Sequence, residues 1–306
     1  MSIFVLRRIL TLAATLVGAS LIIFLVLDAL PGNAAQMLMG ADASPDAVRA
    51  LTVKLGLDQP LLYRYLHWIQ GMTAGDLGNS YVYGTPVVGL IAERLTLTIP
   101  LAIMSMLITV ALALAAGIYA AANHNRIGDV GVMSLTQIGI ALPNFWFAIL
   151  LILLFAVNLR WLPSSGAASP QSIILPAIVA GAYSAAGLTR LLRSSLLEVM
   201  ANDYMRTARG KGLPTRVVVL RHALKNAAIP VVAFLGVQIA FLFGNTVIAE
   251  AIFAYPGMSR LAVDAISARD TPVIQVFVLL AGTLVVLVNL IADVAYAWLD
   301  PRIRLA

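Results

Sequence analysis

Residues 95–122, LTLTIPLAIMSMLITVALALAAGIYAAA, carry no charged side chain from end to end. A helix rises about 1.5 Å per residue and the hydrocarbon core of a bilayer is about 30 Å thick, so roughly 20 apolar residues cross it. This stretch exceeds that length. Outward from it, Ile9–Leu27, Val130–Leu159, Gln171–Thr189, Asn226–Ala249 and Thr271–Ala292 reach or approach the same length without a charge. Their apolar residues run continuously instead of alternating, which excludes barrel strands. In lipid, only helices then satisfy their own backbone groups. The expected fold is all-α, a polytopic membrane protein with six transmembrane helices.

Composition agrees. Hydrophobic residues make up 61% and charged residues 11% of the 306, and the mean hydropathy is +0.94. Soluble chains carry about 25% charged residues. The organisation expected is an N-terminal helix in 1–30, an extracytoplasmic helical segment in 31–94, and a five-helix core in 95–306 holding a basic loop at 190–225. The net charge of +6 does not point to nucleic acid, because the basic residues gather in the connecting loops. Cysteine is absent, which excludes disulfides, thiolate metal sites and cysteine nucleophiles. Arg7 and Arg8 before an apolar run resemble a signal peptide, but Ile9–Leu27 is longer than the 7–15 residues of a typical signal core. A retained first helix is expected.

Arg7 and Arg8 place the N-terminus in the cytoplasm, and six spans return the C-terminus there. The 123–129 loop, with His124 and Arg126, and the 190–225 segment then share that side. The latter carries Arg190, Arg193, Arg206, Arg209, Lys211, Arg216, Arg221 and Lys225 against Glu198 and Asp203. The opposite side holds 31–94, 158–170 and 250–270. Within 31–94, Ser44 can cap a helix with Pro45 at its first position and Asp46 in its first turn, stopping at Gly56. A second helix, Pro60 to Gly71, places Leu62, Tyr65, Leu66 and Ile69 on one face. Small residues recur four apart at Ala177, Gly181 and Ala185, and at Gly236, Ala240 and Gly244. Such stripes serve either a seam between moving helices or subunits, or ordinary packing within one subunit. Pro143, Pro176 and Pro230 can kink their helices.

The chemistry of an enzyme is missing. Gly210-Lys211-Gly212 lacks the spacing and hydroxyl residue of a phosphate cradle, so no ATPase site of its own is expected. His67, His124 and His222 have no metal-ligand partner at helical spacing, and no metal is expected. Asp28 and Asp293 stand near span ends, leaving no midplane carboxylate of the kind an ion-driven carrier uses. Gln137, Asn144, Gln238, Asn245 and Asn289 can line a solvated path or hydrogen-bond between helices. A self-contained secondary carrier is the remote alternative.

In the basic loop, Asp203 can cap a short helix from Tyr204 to Gly210 or Lys211, with Gly212 a left-handed stop and Pro214 preventing continuation. Thr215 can cap a second helix, Arg216–Ala228. Such a knob suits an acidic protein partner, with Tyr204, Met205 and Ala208 in a cleft, or anionic lipid.

Tyr204-Met205-Arg206-Thr207-Ala208-Arg209-Gly210-Lys211-Gly212, followed by His222-Ala223-Leu224-Lys225-Asn226-Ala227, resembles the cytoplasmic signature of binding-protein-dependent ABC permeases. The likeness is to the dipeptide/oligopeptide/nickel group. Ala208 and Gly212 keep the signature's alanine-to-glycine spacing, while Arg206 and Thr207 replace its first two residues. Leu30-Pro31-Gly32, Leu55-Gly56-Leu57-Asp58-Gln59-Pro60, Gly75-Asp76-Leu77-Gly78-Asn79-Ser80, Phe253-Ala254-Tyr255-Pro256-Gly257-Met258, Arg269-Asp270-Thr271-Pro272-Val273-Ile274-Gln275 and Asp300-Pro301-Arg302-Ile303-Arg304 extend the resemblance over nearly the whole chain.

The resemblance implies a type I importer permease of the bacterial inner membrane, moving di- or oligopeptides, or else a nickel chelate, glutathione or another small solute. It implies a second homologous permease subunit, an extracytoplasmic substrate-binding protein, and two cytoplasmic ATPase subunits that bind ATP and Mg. Residues Asp203–Gly212 with His222 and Leu224 would couple to the ATPases. Asp264 and Asp270 would help dock the binding protein.

Overall fold

The computed structural model describes residues 2–29, 34–40, 42–214, 217–240 and 242–299. Leu30-Pro31-Gly32, Thr215, Arg216 and Asp300–Arg304 lie outside the described residues. In chain order the helices are α1 (Ser2–Ala29), α2 (Ala34–Met39), α3 (Pro45–Lys54), α4 (Leu61–Thr73), α5 (Val87–Ala122), α6 (Ile127–Ala141), α7 (Asn144–Leu151), α8 (Ile174–Met200), α9 (Asp203–Gly210), α10 (Leu224–Ala240), α11 (Leu242–Ile252), α12 (Met258–Ala268) and α13 (Thr271–Leu299). Two π-helical turns, Ile152–Asn158 and Val218–Ala223, extend α7 and precede α10. The fold is all-α and polytopic. Leu10–Ala29, Val87–Ala122, Pro170–Met200, Val218–Ile239 and Thr271–Val288 are each long and apolar enough to cross a bilayer.

The sixth candidate span is broken. Val130–Leu159 reads in the sequence as one run, but α6 and the segment starting at Asn144 meet at 103°. A proline drives its predecessor out of the helical region, and Leu142 sits at φ −74°, ψ 128° immediately before Pro143. Pro143 then starts α7, its carbonyl accepting the Trp146 and Phe147 N–H groups at 3.0 and 3.1 Å. Pro230, by contrast, lies inside α10 without ending it.

The chain forms two compact units, Met1–Leu97 with Gly257–Ala306, and Thr98–Pro256. In the first, α1 packs along α13, and α12 packs on α13. Helix α3 forms as its sequence dictates: the Ala47 N–H donates to the Ser44 hydroxyl at 3.3 Å, and Gly56 follows the helix at φ +68°. Helix α4 differs from expectation at its end and on its face. It passes through Gly71 to Thr73, and Gly75 at φ +83° follows. Gly71 is needed for close approach instead, since a Cβ there would lie 3.1 Å from the Asp76 carbonyl oxygen. Of the expected apolar face, Tyr65 and Ile69 are half-buried, while Leu62 and Leu66 are exposed. The aromatic ring of Phe24 decides this: Tyr65 meets it edge-on at 5.3 Å and Trp68 stacks at 6.0 Å. Edge-on and offset aromatic pairs add about 0.5–1.5 kcal/mol beyond area burial.

In the second unit α8 is central, packing against α6, α7, α10 and α11. The stripe Ala177, Gly181, Ala185 faces inward and does ordinary packing within this chain. A Cβ on Gly181 would lie 2.6 Å from the backbone oxygen of Ser105, and the Thr109 hydroxyl donates to the Gly181 carbonyl at 3.0 Å. Gly181→Ala therefore forces α5 and α8 apart and is expected to cost about 1–3 kcal/mol. Thermal unfolding of the purified chain in detergent checks it against Gly244→Ala, where a Cβ meets nothing within 4 Å and the midpoint should stay put.

Candidate coupling segment

The helix that leaves α8 is built by local hydrogen bonds. Helix α8 ends at Met200, and the Asn202 carbonyl accepts the Met205 and Arg206 N–H groups at 3.0 and 3.4 Å to start α9. Asp203 is therefore the first helical residue and not the cap; its charge still suits the positive end of the helix dipole. Gly212 takes φ +75° and stops the helix, as its lack of a Cβ permits. The chain restarts where the Pro214 carbonyl accepts the Val217 and Val218 N–H groups at 2.9 and 3.1 Å. The expected second helix is a π-helical turn from Val218 to Ala223 before α10 begins.

Helix α9 has two faces at the spacing of one turn. Met205 and Ala208 are buried in a cluster with Leu188, Leu192, Leu196, Val218, Val219 and Ala223. They hold α9 to α8 and the π-helical turn, and so do not reach a cleft on another protein. Asp203, Arg206, Thr207, Gly210 and Lys211 are exposed, and Tyr204 stands half out with its hydroxyl accepting from Asn226 Nδ2 at 2.8 Å. Arg206 and Asp203 are 77% and 96% exposed and make only a long 3.7 Å pair, worth little in water. His222 and Leu224 are half-buried, Leu224 against the same cluster. The Arg209 side chain lies outside the described residues. The result is an apolar-anchored helix presenting a polar, cationic face.

A second ionic device, missed in the sequence, stands on the same helix α8. Arg193 reaches Asp129 through two bonds, Nε to Oδ1 at 2.6 Å and Nη2 to Oδ2 at 2.7 Å. The Asn125 N–H also donates to Asp129 Oδ2 at 3.0 Å, with Asn125 at φ +60°. His124 Nδ1 lies 3.1 Å from Arg193 Nη2. Asp129 is 3% exposed, so the short α5–α6 turn is clasped to α8 by a bidentate, largely buried ion pair. Nothing in the spacing of two charges 64 residues apart reveals it.

The two carboxylates expected at the outer loops separate. Asp264 is exposed and pairs with Arg260 at 3.9 Å. Asp270 is fully buried and offers no docking surface. It accepts from the Ser80 hydroxyl, from the Tyr81 N–H at 3.0 Å and from the Val82 N–H at 3.4 Å. Ser80 in turn accepts the Tyr83 N–H at 2.9 Å. Asp270 thus latches the 78–87 turn to the α12–α13 corner, where Arg269 sits at φ +54°. Burial pushes the Tyr81 phenol above its usual pKa, with Arg64 opposing and Asp270 adding to the shift.

The polar residues of the spans also part company. Gln238 borders a cavity of about 20 Å³ with Ser105, Thr109, Ser184 and Thr246, room for about one water. Gln137 is exposed and accepts from Arg190 at 3.5 Å, and Asn144 is half-buried at the start of α7. The side chains of Asn245 and Asn289 lie outside the described residues.

Comparison with known proteins agrees with this geometry. Residues 113–305 match the family described as the binding-protein-dependent transport system inner membrane component, and residues 1–102 match the N-terminal part of such membrane components. The glutathione transport system permease protein GsiC of Escherichia coli strain K12 is 43% identical over 301 residues, covering 98% of each chain. GsiC of Shigella dysenteriae serotype 1 gives the same values. An inward-facing structure of the MetNI methionine ABC transporter aligns with 70% of this chain and 97% of its own at a TM-score of 0.55 and 16% identity, a likeness of fold alone. With both family models matched and relatives aligned almost end to end, the chain belongs to the binding-protein-dependent permeases, the membrane-spanning components of ABC importers.

Proposed function

We propose that this permease imports small peptides, glutathione-like tripeptides among them, and that α9 is the element through which two ATPase subunits drive it. The substrate class is supported by the resemblance of the whole chain to the peptide group and by relatives named for glutathione transport. The coupling role is supported by one observation above all: α9 is fixed to the bundle by Met205 and Ala208 while Arg206, Thr207 and Lys211 remain exposed on its other side. A lever needs such an arrangement, since a push on the exposed face moves α8 and α10 and biases the bundle between two states. In this reading the N-terminus, α9 and the C-terminus lie in the cytoplasm. ATP and Mg bind on the ATPases, a second homologous permease completes the path, and a binding protein delivers substrate from outside near the exposed Asp264.

The complex reconstituted in liposomes with the binding protein tests the reading. Labelled glutathione or a dipeptide should be taken up with ATP, and Arg206→Glu should reduce substrate-stimulated ATP hydrolysis at least about tenfold, a loss of about 1.4 kcal/mol in coupling. Uptake of a nickel chelate without peptide uptake would overturn the substrate class. Undiminished stimulation in Arg206→Glu would overturn the role given to α9.

A further inference from the structure

Two cavities of about 420 Å³ each open in the first unit, between the end of α1, helices α3 and α4, and the start of α13. Each is within the 300–1,000 Å³ of small-molecule sites. They share Phe24, Leu57, Arg64, Thr271 and Gln275. Gln275 decides what they are. Its side chain borders both cavities although the residue is only 4% exposed, and its amide makes no hydrogen bond among the described residues. The amide meets the cavities instead of a protein partner, so a molecule that fills them can bond to it.

Arg64 supplies the charge beside it. Its guanidinium donates from Nη1 to Asp28 at 2.6 Å and lies 5.7 Å from the centre of the Phe24 ring, which fixes its position. Guanidinium has five N–H donors, and the others have no acceptor among the described residues. Lys54 on the wall of one cavity has no carboxylate partner among the described residues. Of the acids on the two linings, Asp28 is held by Arg64 and Asp76 accepts the Gly78 N–H, while Lys54 has no carboxylate partner and Arg64 has donors to spare, so an anion is favoured over a cation. Trp68 Nε1, beside the second cavity, is buried without an acceptor.

We propose that this chamber binds a small solute through its carboxylate, with Arg64 pairing to the carboxylate and Gln275 bonding to the same end of the molecule. It is a binding site built within the first unit, from α1, α3, α4 and the start of α13. It does not rest on the import reading, because the site is built entirely from this chain and needs neither the ATPases nor the binding protein.

The test is equilibrium binding of labelled Ala-Ala to the full chain in phosphatidylcholine nanodiscs, with the C-terminal amide of Ala-Ala as the probe lacking the carboxylate. Saturable binding of Ala-Ala is expected, with the amide at least about tenfold weaker, as the loss of a charged hydrogen bond requires. Gln275→Leu and Arg64→Met should each weaken Ala-Ala to a similar degree. Gln275→Glu, which keeps the volume and adds a negative charge, should weaken it further. Equal binding of Ala-Ala and its amide to the unaltered chain, which needs no variant to fold, would overturn the proposal. So would unchanged affinity in a monodisperse Gln275→Leu chain, or no saturable binding of Ala-Ala. Displacement of Ala-Ala by added phosphatidylglycerol, with the amide displaced equally, would assign the chamber to a lipid headgroup and overturn it too.

Discussion

Asp129→Ala is expected to destabilise the unit formed by residues 98–256 by about 3–5 kcal/mol, because it strands a largely buried guanidinium. Arg193 loses two bonds of 2.6 and 2.7 Å at once, and the Asn125 N–H loses its acceptor. Arg193→Ala should cost a similar amount by leaving the Asp129 carboxylate, 3% exposed, without its counter-charge. The double replacement Asp129→Leu with Arg193→Leu should be milder than either single change, since removing both charges leaves nothing unpaired. Thermal unfolding of the four proteins in one detergent measures the cycle. Additive losses in the double variant would mean that the two side chains stabilise the fold independently.

Asp270→Leu is expected to release the 78–87 turn. Three donors converge on this fully buried carboxylate, the buried Ser80 hydroxyl and the part-buried Tyr81 and Val82 N–H groups. Leaving a buried donor such as the Ser80 hydroxyl unsatisfied costs about 1–3 kcal/mol, and the two part-buried N–H groups add less. Asp270→Asn, which keeps one acceptor oxygen, should lose less. Limited proteolysis of the purified chain reads this directly, with new cleavage between Gly78 and Val87 in Asp270→Leu, weaker in Asp270→Asn and absent in Asp264→Ala. Equal resistance in all three would contradict the latch.

The spans were legible because lipid demands long uncharged runs, and the ends of the helices because proline, glycine and serine act locally. Ser44 and Gly212 do in the fold what their chemistry dictates in the sequence. Pro143 was legible as a kink, but its 103° angle depends on what α6 and α7 pack against. The sequence could not tell which charged residues face inward. Asp264, in α12, and Asp270, at the α12–α13 corner, are six residues apart, yet one is solvated and the other is fully buried by a turn 190 residues away. Met205 and Arg206 are likewise adjacent, and only tertiary packing on Leu188, Leu192 and Leu196 shows that the first anchors α9 while the second is exposed. Periodicity gives the two faces of α9, not which one has a partner. Gln275 stands in a motif that carries the family resemblance, but its unbonded amide is visible only in three dimensions.

Because the chain has no cysteine, a single introduced thiol reports one position without background. The central claim is that the exposed face of α9 meets an ATPase subunit in the cytoplasm. In the assembled complex, Arg206→Cys should cross-link to the ATPase subunit with a short bifunctional reagent and should be shielded from a membrane-impermeant maleimide added outside intact cells. Met205→Cys, buried against α8, should cross-link poorly and be shielded as well. Labelling of Arg206→Cys from outside, or its failure to cross-link in a complex that hydrolyses ATP, would contradict the account.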